Sequence, residues 1–158
     1  MRIVLILLLH VALFGQSYNF EEIKFVSAVG TDFRKNGKIE INDKKVVITY
    51  EKPKFKQIVK EDNNITIKGS SGEIYKLKGK ALYYTGLFID IMTQLGSFEK
   101  IQSNRDFKVE RVDNTFYLTF LGDMSDRVVK AEVKVKNSKV TRFKLFMPNE
   151  DTLTIVKK

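Results

Sequence analysis

The chain has 158 residues, 43% of them hydrophobic, and 28 Lys and Arg against 19 Asp and Glu give a formal net charge of +9. It contains no cysteine and a single histidine, His10. Disulfide support, thiol catalysis and thiolate metal sites are excluded, and beyond the first segment so are histidine-based acid–base catalysis and histidine metal ligation.

That first segment has the layout of a secretory signal. Arg2 supplies the positive start, Ile3 to Phe14 an apolar core interrupted by His10, and Gly15-Gln16-Ser17 a small-residue end. The apolar stretch is shorter than the roughly 20 residues a membrane-spanning helix needs. The expectation is a cleavable signal over residues 1–17 and one domain over residues 18–158; a retained N-terminal anchor is the other reading. No cysteine stands at the cleavage site to carry a lipid, so a soluble, monomeric periplasmic protein is expected. In that compartment a basic surface meets anionic phospholipid headgroups or acidic glycolipids rather than nucleic acid, or simply keeps the protein in solution.

From the end of the signal onward the dominant rhythm is two residues. Strands are expected at Lys24 to Phe33, Lys38 to Ile41, Lys45 to Glu51, Phe55 to Lys60, Ile65 to Lys68 and Glu73 to Lys78. Turns separate them at Asn36-Gly37, Asn42-Asp43, Asp62-Asn63-Asn64 and Gly69-Ser70-Ser71-Gly72. The period then changes. Ala81, Tyr84, Phe88, Ile91, Met92 and Leu95 recur at helical spacing, with Gly96 placed to cap the helix and Gly86 as a candidate kink or break. Leu82, Tyr83, Leu87 and Ile89 widen the stripe almost all round, so this helix requires cover on most sides.

Strands resume at Arg105 to Val112 and Thr115 to Leu121, a hairpin around Asp113-Asn114. Val129, Ala131, Val133 and Val135 alternate with Lys130, Glu132, Lys134 and Lys136, the pattern of a half-solvated antiparallel strand. After Asn137-Ser138 comes Val140 to Met147, and after Pro148 to Asp151 a last strand bearing Leu153 and Ile155. The fold class is mainly β with one apolar helix, a sandwich or barrel in one domain.

The motifs of chemistry are lacking. Gly-x-Ser-x-Gly and phosphate-cradling glycine loops are absent, and Gly69 to Gly72 reads as a hairpin turn. Asp123, Asp126, Glu150 and Asp151 read as solvated turn acids rather than a facing carboxylate pair. The expectation is no enzyme and no cofactor.

The order of elements resembles the LolA family of periplasmic outer-membrane lipoprotein carriers. The likeness runs from Phe25 to Lys158. Its local trace is Asn36-Gly37-Lys38-Ile39-Glu40-Ile41 followed by Lys52-Pro53-Lys54-Phe55-Lys56, then a hairpin over Ile65 to Leu77, an apolar helix over Ala81 to Leu95, and closing strands over Phe107 to Val156. Pro53 and Phe55 stand one residue closer than in the family pattern, Lys56 takes the place of an arginine, and the usual helix before the first strand is missing or reduced to Asn19 to Ile23.

The resemblance implies a strongly curved, unclosed antiparallel sheet with a helix over its concave face and an apolar cavity for acyl chains. It implies transient docking to an inner-membrane release complex and an outer-membrane acceptor. Residues expected to hold acyl chains are Ile48, Tyr50, Phe55, Ile58, Leu87, Phe88, Ile91, Met92, Leu95, Phe116, Leu118 and Phe120. In the resemblance, Lys56 is the position that latches the helical cover. Two rivals stay open: a glycolipid or phospholipid binder of the same fold, and an envelope interaction domain with a fully packed core.

Overall fold

Alternation along the chain becomes a single large sheet. In the computed structural model, residues 15–94, 102–103, 105–137 and 139–158 are described. Eleven strands form one antiparallel sheet in the order β6-β5-β4-β3-β2-β1-β11-β10-β9-β8-β7, with β6 and β7 as its free edges. The strands are β1 (Gln16–Val26), β2 (Thr31–Ile41), β3 (Lys45–Lys52), β4 (Lys56–Glu61), β5 (Asn64–Lys68), β6 (Ile74–Lys76), β7 (Phe107–Val112), β8 (Thr115–Phe120), β9 (Lys130–Lys136), β10 (Lys139–Phe146) and β11 (Thr152–Lys157). Between β6 and β7 lies α1 (Gly79–Gln94), the one α-helix among the described residues.

The period-two pattern sorts side chains into cross-strand rows. Tyr18, Ile39, Ile48, Ile58 and Ile67 stand opposite one another from β1 to β5. In the other half Phe116, Val133, Phe143 and Ile155 form a second row, and Leu118, Ala131, Leu145 and Leu153 a third. These rows share one face and merge with Ile89 and Met92 of α1 into a continuous core. Paired β-branched and aromatic neighbours of this kind stabilise a sheet by about 0.2–1 kcal/mol each, in addition to their burial.

The sheet is strongly curled, and geometry requires it. Lys60 on β4 is ion-paired with Asp90 of α1, while Tyr83 of α1 donates to Asp106, the residue before β7. β4 and β7 stand eight strand spacings apart, about 38 Å if the sheet were flat. Tyr83 and Asp90 are only about 10 Å apart along the helix axis. Both arms of the sheet must therefore fold toward the helix, which gives an unclosed barrel with α1 across its concave face.

Several expected boundaries shift. The strand expected over Lys24 to Phe33 is instead the end of β1, a 3₁₀ turn at Ser27–Val29, and the start of β2. Asp151 holds this turn, its Oδ1 accepting from the Ser27 backbone N–H at 2.9 Å. That backbone donor keeps the Asp151 carboxyl below the usual carboxylate range. Of the two readings of the preceding helix, missing or reduced to Asn19 to Ile23, the first holds over these residues, which lie in β1. The alternation there is broken because the inward positions change from Tyr18 and Phe20 to the polar Glu22 and Lys24 as the strand leaves the core.

Asn36-Gly37, expected as a turn, lies inside β2 at a bulge against β3. The ring of Phe20 covers Gly37, and a Cβ there would lie 2.9 Å from both Phe20 Cε atoms and closer still to Cζ. Glycine is needed for close approach, not for a bend. The helix runs unbroken through Gly86. The expected cap at Gly96, the turn residue Ser138 and the apolar part of the expected signal, Ile3 to Phe14, lie outside the described residues.

Candidate functional site

The expected acyl-chain residues fall largely on the concave face. Ile48, Tyr50, Ile58, Met92, Phe116, Leu118 and Phe120 are all buried in the one core cluster, and Leu87 and Phe88 pack against it half-buried. Phe55 is half-buried in the turn before β4 and is not among the residues packed on that cluster. The Ile91 side chain and Leu95 lie outside what is described. Sequence reasoning passed over Phe20, Ile39, Ile65, Ile89 and Phe143, which are among the most deeply buried side chains. Parity within each strand could have found Ile39, Ile65 and Phe143 once a face had been chosen.

Beside this packed interior lies open space. A cleft of about 390 Å³ runs between α1 and the β4–β5 arm. Ile65, Leu82, Gly86 and Leu87 give it apolar walls, and Lys60, Asp90 and Asp106 stand at its polar margin. Gly86 keeps the helix side of the cleft low: a Cβ there would meet only Ile65 Cδ1, at 3.7 Å.

Among the described residues, several polar contacts hold the helix in place. Besides the Lys60–Asp90 ion pair and the Tyr83–Asp106 hydrogen bond of 3.0 Å, Tyr84 Oη donates to the Asp123 carbonyl at 3.2 Å, and Tyr18 Oη to the Met92 carbonyl at 3.2 Å. Burial pushes the Tyr18 phenol up to about 12, so it stays a neutral donor at ordinary pH. Each such bond contributes about 0.5–1.5 kcal/mol net. Most of the attachment therefore comes from the apolar underside around Ile89 and Met92.

Two lysines of β4 bear on the latch that the resemblance implies at Lys56. Lys56 begins β4 opposite Tyr50, is exposed, and has no hydrogen bond or ion pair among the described residues. Lys60, two strand repeats further along the same face, carries an ion pair to the helix. At the same rim Tyr50 Oη donates to Glu22 Oε2 at 2.5 Å, with Lys35 Nζ 4.0 Å from the other carboxylate oxygen. Burial first, and then the Glu22 carboxylate, raise the Tyr50 phenol far above its ordinary value. A charged edge thus borders an apolar floor.

The class these features define is an unclosed antiparallel β-barrel with a helix over its concave face. No family model matches the chain, and no curated protein matches it. Solved structures with partial overlap include a Vibrio parahaemolyticus domain assigned to outer membrane lipoprotein sorting, at 5% identity and a TM-score of 0.43, covering 90% of this chain and 82% of that one. A LolA superfamily protein from Nitrosomonas europaea overlaps at 8% identity and 0.43, covering 93% and 85%. A DUF1329 family protein from Desulfovibrio piger overlaps at 12% identity and 0.46, covering 91% and 84%.

Proposed function

We propose that the protein is a periplasmic carrier that shelters the acyl chains of lipoproteins between α1 and the curled sheet during transfer from the inner to the outer membrane. The observation that carries this reading is the cleft between α1 and the β4–β5 arm: apolar walls, a charged margin, and a cover whose polar ties, among the described residues, include the Lys60–Asp90 ion pair and three tyrosine hydrogen bonds. Acyl chains need no covalent chemistry to be held, since each methylene removed from water contributes about 0.8 kcal/mol. Release requires that the cover move. A helix tied to both arms of an unclosed sheet can separate from one arm while remaining packed on the other.

One observation favours a second reading. The concave face is filled by its own side chains, with Ile39, Ile48 and Phe143 fully buried, as in an interaction domain with a packed core. A carrier reconciles this packing with function by closing when empty. Mass spectrometry of molecules retained after gentle purification from the native envelope separates the alternatives. Di- or triacylated peptide supports the carrier, and phospholipid or glycolipid alone supports the lipid-binding rival. In parallel, Leu87→Asp should abolish binding of a fluorescent acyl probe while leaving the β-sheet circular dichroism intact. No retained acyl compound, no probe binding and no lipid-induced rise in melting temperature would leave the packed interaction domain.

A further inference from the structure

The outward face of β9 and β10 carries a charge arrangement that the cleft does not explain. Lys130, Lys134, Lys136, Lys139, Arg142 and Lys144 project from that one face of two adjacent strands. Its lone acid on these strands, Glu132, is already ion-paired with Lys130 at 3.3 Å. Register sets like charges side by side: Arg142 stands opposite Lys134, and Lys139 opposite Lys136. Like charges directly opposite one another destabilise a sheet. Neither of these two pairs has an acidic partner among the described residues, whereas Lys144 stands opposite Glu132, whose carboxylate is ion-paired with Lys130.

Aromatic placement concentrates the charge further. Lys130 Nζ lies 4.8 Å and Lys144 Nζ 4.9 Å from the centroid of Phe146, so two ammonium groups are gathered over one ring. Next to Arg142 and Lys144 an outer groove of about 580 Å³ opens over β1 and β11, lined by Ile23, Phe25 and Val156 and also by the carboxylates Asp32, which pairs with Arg34, and Glu150.

We infer that this convex face docks the protein on an anionic phospholipid surface. Five of the six cations are lysines: compact charges on flexible stems, without the planar fork that reads a fixed carboxylate. They spread along strands about 24 Å long rather than converging on a pocket. This geometry fits a planar, laterally mobile array of phosphates better than one acidic partner protein. Docking by the outer face would leave the cleft between α1 and the β4–β5 arm free to exchange its contents.

The test is flotation of the protein as exported with vesicles of phosphatidylcholine alone or with 30% phosphatidylglycerol. Each Lys or Arg near an anionic surface strengthens binding roughly 5-fold, so removing three should weaken it about 100-fold. The patch variant is Lys134→Gln/Arg142→Gln/Lys144→Gln. The control, Lys44→Gln/Lys68→Gln/Lys76→Gln, removes the same charge from exposed positions in the other half of the sheet. Expected results are binding to anionic vesicles only, weakening between 50 and 300 mM NaCl, a fall of about 100-fold for the patch variant, and a fall of less than 5-fold for the control.

If the triple patch variant does not fold, Lys134→Gln alone carries the test, with a fall of about 5-fold. Relief of its repulsion with Arg142 should leave its melting temperature at or above wild type. Equal losses in patch and control would make the effect bulk charge and overturn the assignment. Equal binding to neutral vesicles would make it apolar anchoring, and overturn it as well. Wild-type protein that ignores anionic vesicles but is retained on immobilised polyglutamate would assign the face to a protein partner, again against the proposal.

Discussion

Replacing Gly86 by Ala separates the stability of the helix from the space beneath it. Gly86 sits mid-helix with no special backbone conformation, so exchange for Ala removes a helix penalty of about 1 kcal/mol. The new methyl would meet Ile65 Cδ1 at 3.7 Å, ordinary contact with nothing displaced. Burial of part of that methyl adds a few tenths of a kcal/mol. A gain of about 1 kcal/mol in a chain of this size corresponds to a rise of about 3 °C in melting temperature. Thermal and urea unfolding followed by circular dichroism measures it. Destabilisation by Ala would mean that the helix is interrupted at Gly86 or packs closer to β5, and would refute the reasoning. Gly86→Leu extends the test to function. The larger side chain must enter the cleft, so affinity for an acyl probe should fall at least about 10-fold while the helix signal is kept. Unchanged affinity would show that acyl chains do not occupy this space.

The latch follows from the same geometry. Lys60→Gln and Asp90→Asn should each loosen α1 and cost up to about 1 kcal/mol as a partly exposed pair, while speeding probe entry in stopped-flow measurements. Lys56→Gln, without a partner, should change neither quantity; the reverse pattern would return the latch to Lys56. Gly37→Ala puts a methyl against the fully buried Phe20 ring and should destabilise by about 1–3 kcal/mol. In the double variant with Phe20→Leu, which vacates that space, the cost of the alanine should largely disappear; persistence of the full cost would locate the strain in the β2 bulge instead.

Strict alternation made the second half of the chain legible. Ala131 to Val135 and Phe143 to Leu145 declare their strands because one face meets the core and the other meets water, although Val129, which continues the pattern in sequence, is exposed ahead of β9. The helix was legible for a related reason: its apolar residues follow a period no strand can use, and its stripe is too wide to leave uncovered. The missing cysteine and the position of the single histidine likewise narrow the available chemistry through composition alone.

Tertiary structure decided what periodicity cannot encode. β1 escaped recognition because its inward face changes from Tyr18 and Phe20 to Glu22 and Lys24 at the core boundary, and that boundary is set by strands more than a hundred residues away. Gly37 looked like a turn because glycine's two uses, bending a chain and admitting a neighbour, are identical in sequence; the position of Phe20 distinguishes them. The helix tie to Lys60 rather than Lys56 depends on how far the sheet curls, a sum of small twists over eleven strands. The clustering of cations on β9 and β10 follows from register, since Lys134 and Arg142 become neighbours only when the hairpin closes. Local patterns name the elements and their buried sides, whereas curvature and long-range register, and with them the cleft and the charged face, exist only once the whole sheet has formed.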